Sequence, residues 1–239
     1  MKFFDIDGPL MQGLTKIADL MILNFLTILC CIPVVTAGAA FTALHYQVLK
    51  MARNEDTYVA RGFFKSFKEN FKQATIIWIL VLISVAFIIF DYLIIGFSEE
   101  GGIAYWYGVV LGAFAIFIAF TVIMVFPILA KFSNTVIRTI KNAMAISVLK
   151  FPMTILMIIM HVIPLVIGYF FYPLIPLVLM FGISAPAFGS AKLYNKFFKK
   201  LENQILETMR ANGELVEDEP DPDRIFKDEI DESLMNRKN

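Results

Sequence analysis

Charge is scarce in this chain of 239 residues. Asp, Glu, Lys and Arg make up 18% of it and hydrophobic residues 58%, whereas a soluble domain carries about 25% and about 45–50%. Acids and bases number 21 each, so no net field draws the chain to nucleic acid, and no nucleic-acid partner is expected. Cysteine is almost missing. Cys30 and Cys31 stand side by side in an apolar run, which excludes a disulfide framework and a zinc-ligand spacing. Histidine occurs twice, as His45 and His161, with no HExxH. No Gly-Lys-Ser/Thr phosphate loop is present, so the chain is not itself an ATP-hydrolysing subunit. Gly182-Ile183-Ser184-Ala185 lacks the second glycine of a nucleophile elbow. No catalytic residue, metal ligand or cofactor is therefore expected, and the chain does not read as an enzyme.

Long apolar runs are what the sequence does have. Leu20–Tyr46 holds no charged residue, Ala74–Phe90 is uncharged with apolar character continuing past Asp91, and Gly101–Ala130 and Phe151–Ala191 are uncharged throughout. The last run would measure about 60 Å as one helix, twice the ~30 Å hydrocarbon core, so it must contain two helices. Tyr172-Pro173 is the natural break. The expectation is an all-α polytopic membrane bundle of about five transmembrane helices, over 20–46, 74–97, 103–130, 151–171 and 174–191, with amphipathic cytoplasmic segments. Residues 1–200 form the transmembrane domain and 201–239 an acidic cytoplasmic tail. Pro33 lies within the first run, followed by Thr36, Ala37, Gly38, Ala39 and Ala40. One kinked span is expected there; a re-entrant hairpin with a cytoplasmic N-terminus is the alternative.

Nineteen of the 21 basic residues fall between spans one and two, between spans three and four, or after Ala191. The positive-inside rule places these segments and the C-terminus in the cytoplasm. Residues 1–19 resemble a short interfacial helix beginning at Pro9. Residues 62–72 carry a stripe of Phe64, Phe67 and Phe71 beside Lys65, Lys68 and Lys72, with Arg61 just before. That pattern suits a helix lying on the membrane surface or a docking surface for a partner. Arg138 and Lys141 supply a second candidate docking patch. Lys192–Asn212 reads as a helix with Leu193, Phe197, Leu201 and Ile205 on one face. From Glu214 on, ten acids face four bases around Pro220 and Pro222, so a mobile end is expected. Three polar residues stand inside spans. Asp91 is expected near the outer surface, and Asn24 and His161 are expected to bond neighbouring helices. Gly108 and Gly112 form a GxxxG, and Ala185 and Gly189 repeat the small-residue spacing; both are expected to pack helices within the bundle. Tyr105, Trp106 and Tyr107 read as interfacial anchors.

Residues 7–44, DGPLMQGLTKIADLMILNFLTILCCIPVVTAGAAFTAL, and the junction FFKSFKENFKQAT strongly resemble the YesL-like family of bacterial integral membrane proteins. PAFGSAKLYNKFF near residue 190 fits more weakly. The resemblance runs over about residues 1–200. It carries no catalytic or binding residues, and it implies association with carbohydrate ABC importers. The expected function is a non-enzymatic accessory protein of the bacterial cell membrane that assists assembly or regulation of such an importer, with its permease subunits and the lipid bilayer as partners. The alternative is a permease-like subunit that docks an ATPase through NTVIRTIKNAMAISVLKFP. A membrane enzyme built on Asp91 and His161 is the remote alternative.

Overall fold

The computed structural model describes residues 9–55, 58–96, 102–132 and 134–211. Eight α-helices account for nearly all of them: α1 Pro9–Cys31, α2 Ala37–Arg53, α3 Val59–Gly96, α4 Gly102–Lys131, α5 Val136–Leu149, α6 Phe151–Phe170, α7 Ile175–Phe181 and α8 Ser184–Ala211. The described residues contain no strand. Four helices are long and apolar enough to cross a membrane, five if the bent pair α7–α8 counts as one. The expected all-α bundle is what forms.

The first apolar run is not one kinked span. Pro33 disfavours helical backbone at Ile32, and α1 ends at Cys31. A 3-10 turn, Val34–Thr36, then reverses the chain. The Thr36 hydroxyl donates to Cys30 O at 2.5 Å, satisfying a carbonyl that the helix end leaves open, and its backbone N–H donates to Pro33 O at 3.0 Å. α2 runs back along α1 and stops at Asn54, whose φ of 57° is left-handed, a conformation Asn tolerates at a helix end. Lys16 Nζ donates to Asn54 Oδ1 at 2.7 Å. In a single continuous helix these residues would be roughly 55 Å apart. Residues 20–46 are thus two arms of a helical hairpin.

The depth of that hairpin follows from one bond. Trp78 Nε1 donates to Val34 O at 2.7 Å, so the tip lies level with Trp78. α3 continues 18 residues further, to Gly96, about 27 Å. Exposed Lys72 precedes Trp78 by six residues, about 9 Å. The tip therefore rises only slightly beyond the basic residues of α3 and stops far short of its other end. α1 is itself long and apolar enough to cross a membrane, while its hairpin tip is held level with Trp78.

Small residues let α2 approach α3. Ala37, Gly38, Ala39, Ala40 and Ala43 are all buried, and a Cβ on Gly38 would sit 2.5 Å from Ala74 O and 2.6 Å from Trp78 Cβ. Such close backbone approach gains van der Waals contact where apolar burial gives little between helices in lipid. Leu23, Leu44, Phe63, Met124, Ile128, Met157 and Phe198 fill the core around it. Beyond Trp78 the packing thins. α3 and α4 run on as a projecting pair whose Ile83, Phe87, Phe90, Val110 and Phe114 are exposed.

The remaining spans also differ in detail. α3 fuses the expected surface helix 62–72 with the span that follows. α1 similarly runs unbroken from Pro9, with residues 1–8 outside the described residues. The fifth span divides at Gly182–Ile183, and α7 and α8 meet at a 54° bend. α8 runs through residue 200 to Ala211, in line with the helix read over Lys192–Asn212 and with a tail that begins helical. The acidic end from Glu214 lies outside the described residues.

Candidate functional site

Two features gather the chemistry: a buried polar seam that joins the hairpin to α8, and an exposed basic and aromatic face on α3.

The seam begins at Asn24, fully buried on α1. Its Nδ2 donates to Leu179 O at 2.7 Å. Its Oδ1 accepts from the N–H groups of Ile183 and Ser184 at 2.9 and 3.0 Å. In an unbroken helix Ile183 N–H would bond Leu179 O directly. The Asn24 amide is inserted into that bond, and such insertion is a recognised cause of sharp helix bends. Lower down, His45 on α2 shares a 3.3 Å hydrogen bond with the Tyr194 hydroxyl on α8. Arg53 then grips α8 three times: Nε donates to Asn195 Oδ1 at 2.9 Å, and the two terminal nitrogens donate to Glu202 at 3.2 and 2.5 Å. The Arg53 and Glu202 side chains are 7% and 9% exposed. A bidentate pair of this kind has the geometry that favours Arg over Lys.

Each polar residue singled out in the sequence can now be placed. Asn24 bonds backbone across the α7–α8 break. His161 Nδ1 donates to Met157 O in its own helix at 2.8 Å; a carbonyl only accepts, so that nitrogen bears the proton. Asp91 accepts from the Tyr107 hydroxyl at 3.0 Å on the exposed α3–α4 pair. Asp91 and His161 thus use different partners and share no bond. Gly189 faces Met160, packing α8 on α6 as expected. Gly108 and Gly112 do not pack within the bundle: a Cβ on either would meet nothing within 4 Å. The described residues contain no group of three or more metal-ligating side chains.

Arg53, Asn195, Tyr194 and Glu202 were missed. The signal was present. Ala187, Ala191, Tyr194, Phe198 and Glu202 recur at helical spacing and are all buried, one position round from the stripe read in the sequence. Glu202 sits at its end as a buried acid that needs a cation.

The α3 face is built by the same periodicity. Phe63, Ser66 and Asn70 turn inward. Phe64 and Phe71 are exposed and Phe67 is half-buried between them, with the Phe67 and Phe71 rings 5.6 Å apart. Arg61, Lys65, Lys68 and Lys72 are exposed alongside, and Lys65 lies 3.9 Å from Glu69. α3 has no break between Val59 and Gly96 and is about 57 Å long. Roughly 30 Å of that suffices to cross a hydrocarbon core. Residues 61–72 are collinear with the span and do not lie flat beside it, so they stand off the basic end as a projecting face. α5 carries the other candidates: Arg138 and Lys141 are exposed, while Thr139, Ala143 and Ser147 point inward.

A family profile described as "Protein of unknown function, DUF624" matches residues 20–92. YesL-like proteins carry this domain. The DUF624 segment covers under a third of the chain and runs from the middle of α1 through the hairpin and α2 to Tyr92 of α3. It includes the close-packed TAGAA stretch and the basic aromatic face. No curated protein and no solved structure matches the chain.

Proposed function

We propose that the chain is a multi-pass accessory protein of the bacterial cell membrane, without catalytic activity of its own, that serves a carbohydrate ABC importer in assembly or regulation. The observation that carries this reading is the α3 face. Arg61, Lys65, Lys68 and Lys72 beside Phe64, Phe67 and Phe71 are displayed on a rigid extension of a spanning helix. Aromatic and Arg side chains dominate protein interfaces, and a helix already ordered loses little entropy on docking. The basic end would face the cytoplasm by the positive-inside rule, taking the C-terminus with it. The sugar-importer identity of the partner rests on the resemblance to YesL-like proteins.

The test is co-purification in gentle detergent of the full chain with importer permease subunits, compared with Phe64→Ala/Phe71→Ala and with Lys65→Glu/Lys68→Glu/Lys72→Glu. Stoichiometric permease with the parent, lost in both variants while each still runs as a single species, supports the reading. Capture of permease that neither variant changes removes α3 as the docking face. No permease with the parent removes the importer.

A permease-like role is the second reading. It is favoured by α5, a 14-residue helix joining α4 to α6 with Arg138 and Lys141 exposed, in the position where a permease would meet an ATPase. Binding of an ATPase subunit that fails in Arg138→Glu/Lys141→Glu but survives the α3 variants would favour it. A membrane enzyme is the remote third reading. Loss of a phenotype in both Asp91→Asn and His161→Ala would be needed to revive it.

A further inference from the structure

α3, α4 and α5 enclose a cleft of about 250 Å³. Its floor is closed by Ile77 and Val125, each 1% exposed, while Leu80, Phe114 and Phe117 form walls open to the bundle surface. Sites for drug-sized ligands run to about 300–1,000 Å³, so this one suits something slimmer. Two hydroxyls line it, and both are spent on their own helices: Ser84 Oγ donates to Leu80 O at 2.9 Å and Thr121 Oγ1 to Phe117 O at 3.0 Å. A sugar or nucleotide would need convergent polar groups, and these hydroxyls are already engaged. The chemistry of the lining is that of a hydrocarbon chain.

What selects the occupant is the end at which α5 closes the cleft. Ile140 and Met144 of α5 form that end. Lys141 is a helix-surface neighbour of Met144, three residues on, and Arg138 is a neighbour of Lys141, three residues back and further from the cleft. Both cations are exposed. Their aliphatic stems can run along the apolar rim while the charges sit at headgroup level.

We infer that this cleft is a binding site for one anionic phospholipid, with an acyl chain between α3 and α4 and its phosphate at Lys141 and Arg138. The inference rests on membrane insertion of α3 and α4 and is independent of any importer partner.

The test is native mass spectrometry of the full chain released from nanodiscs of equal phosphatidylglycerol and phosphatidylcholine. The parent should retain one phosphatidylglycerol per chain. Thr121→Trp, which fills the cleft, should abolish retention of either lipid. Val110→Trp, on exposed surface outside the cleft, should retain it as the parent does. Lys141→Gln should lower the preference for phosphatidylglycerol roughly fivefold. Equal retention of both lipids by the parent, or retention unchanged in Thr121→Trp, overturns the inference. So does a co-purifying helix of another protein in place of lipid. Should Thr121→Trp fail to run as a single species, the parent alone decides: phosphatidylglycerol must raise its thermal midpoint more than phosphatidylcholine does, and an equal rise overturns the site.

Discussion

The two halves of α3 make an instructive contrast. Up to Trp78 the helix is held on several sides: Gly38 against Ala74, Gly62 against Gln47, and Val34 on the Trp78 indole. Beyond Trp78 it has α4 beside it and exposed apolar side chains elsewhere. The near half interleaves Arg61, Lys65, Lys68, Glu69 and Lys72 with its phenylalanines, whereas beyond Trp78 the only charge before Gly96 is Asp91. The near half is organised by small residues and buried polar bonds, which are directional and specify one arrangement. The far half has the Tyr107–Asp91 bond to α4 and otherwise mostly exposed apolar side chains, which suit a lipid surround. Hydropathy therefore marks where a chain can enter a membrane, and polar and small residues determine what it becomes there.

Substitutions can break or sharpen that contrast. The largest loss should follow Arg53→Ala, which strands buried Glu202; removing one partner of a buried pair costs about 3–5 kcal/mol. Unfolding in detergent should show it, and Arg53→Met/Glu202→Leu should recover most of the loss if desolvation is the cause. Asn24→Leu comes next. It leaves Leu179 O and the Ile183 and Ser184 amides without a partner, at about 3 kcal/mol, and hydrogen exchange should quicken at those two amides first. Gly38→Val forces α2 from α3, and overpacking of this kind costs about 1–3 kcal/mol. Its signature would be weaker protection across the hairpin while the far half of α3 is unchanged. Trp78→Phe keeps the ring packing and loses only the bond to Val34, about 1 kcal/mol. At the far end, Gly108→Ala or Gly112→Ala should shift stability by within about 0.5 kcal/mol. A large effect there would mean that the exposed pair is packed against something outside the chain.

These differences also explain which parts of the fold were legible in the sequence. Helical class, the apolar runs and the concentration of basic residues depend on composition and period, which are local. The turn at Tyr172-Pro173 was visible for the same reason. Pro33 announces a break, but the reversal it makes is seen only in long-range contacts such as Lys16 with Asn54, 38 residues away. The second break, at Gly182–Ile183, had no strong local signal, because its hydrogen bonds come from Asn24, 159 positions earlier. The basic aromatic residues of α3 are legible as an amphipathic stripe, but their setting is not: nothing in the stretch from Arg61 to Ala74 says whether the helix bends there, and it does not. Of the seam, Asn24 was named, while Arg53 and Glu202 each looked like one more charge at a membrane edge.

Asn24, His45 and Arg53 all reach partners in the last described quarter of the chain. During synthesis the hairpin emerges first and its partners last, so its buried polar groups must wait, unpaired, while α3 to α7 are made. The fold closes like a clasp whose two ends are the ends of its own helical body. Ending translation before Leu179 would leave both Asn24 and Arg53 without these partners, and ending it between Ser184 and Glu202 would still deprive Arg53 of its carboxylate, so such fragments should be targets for proteolysis even when every apolar run they contain has been inserted.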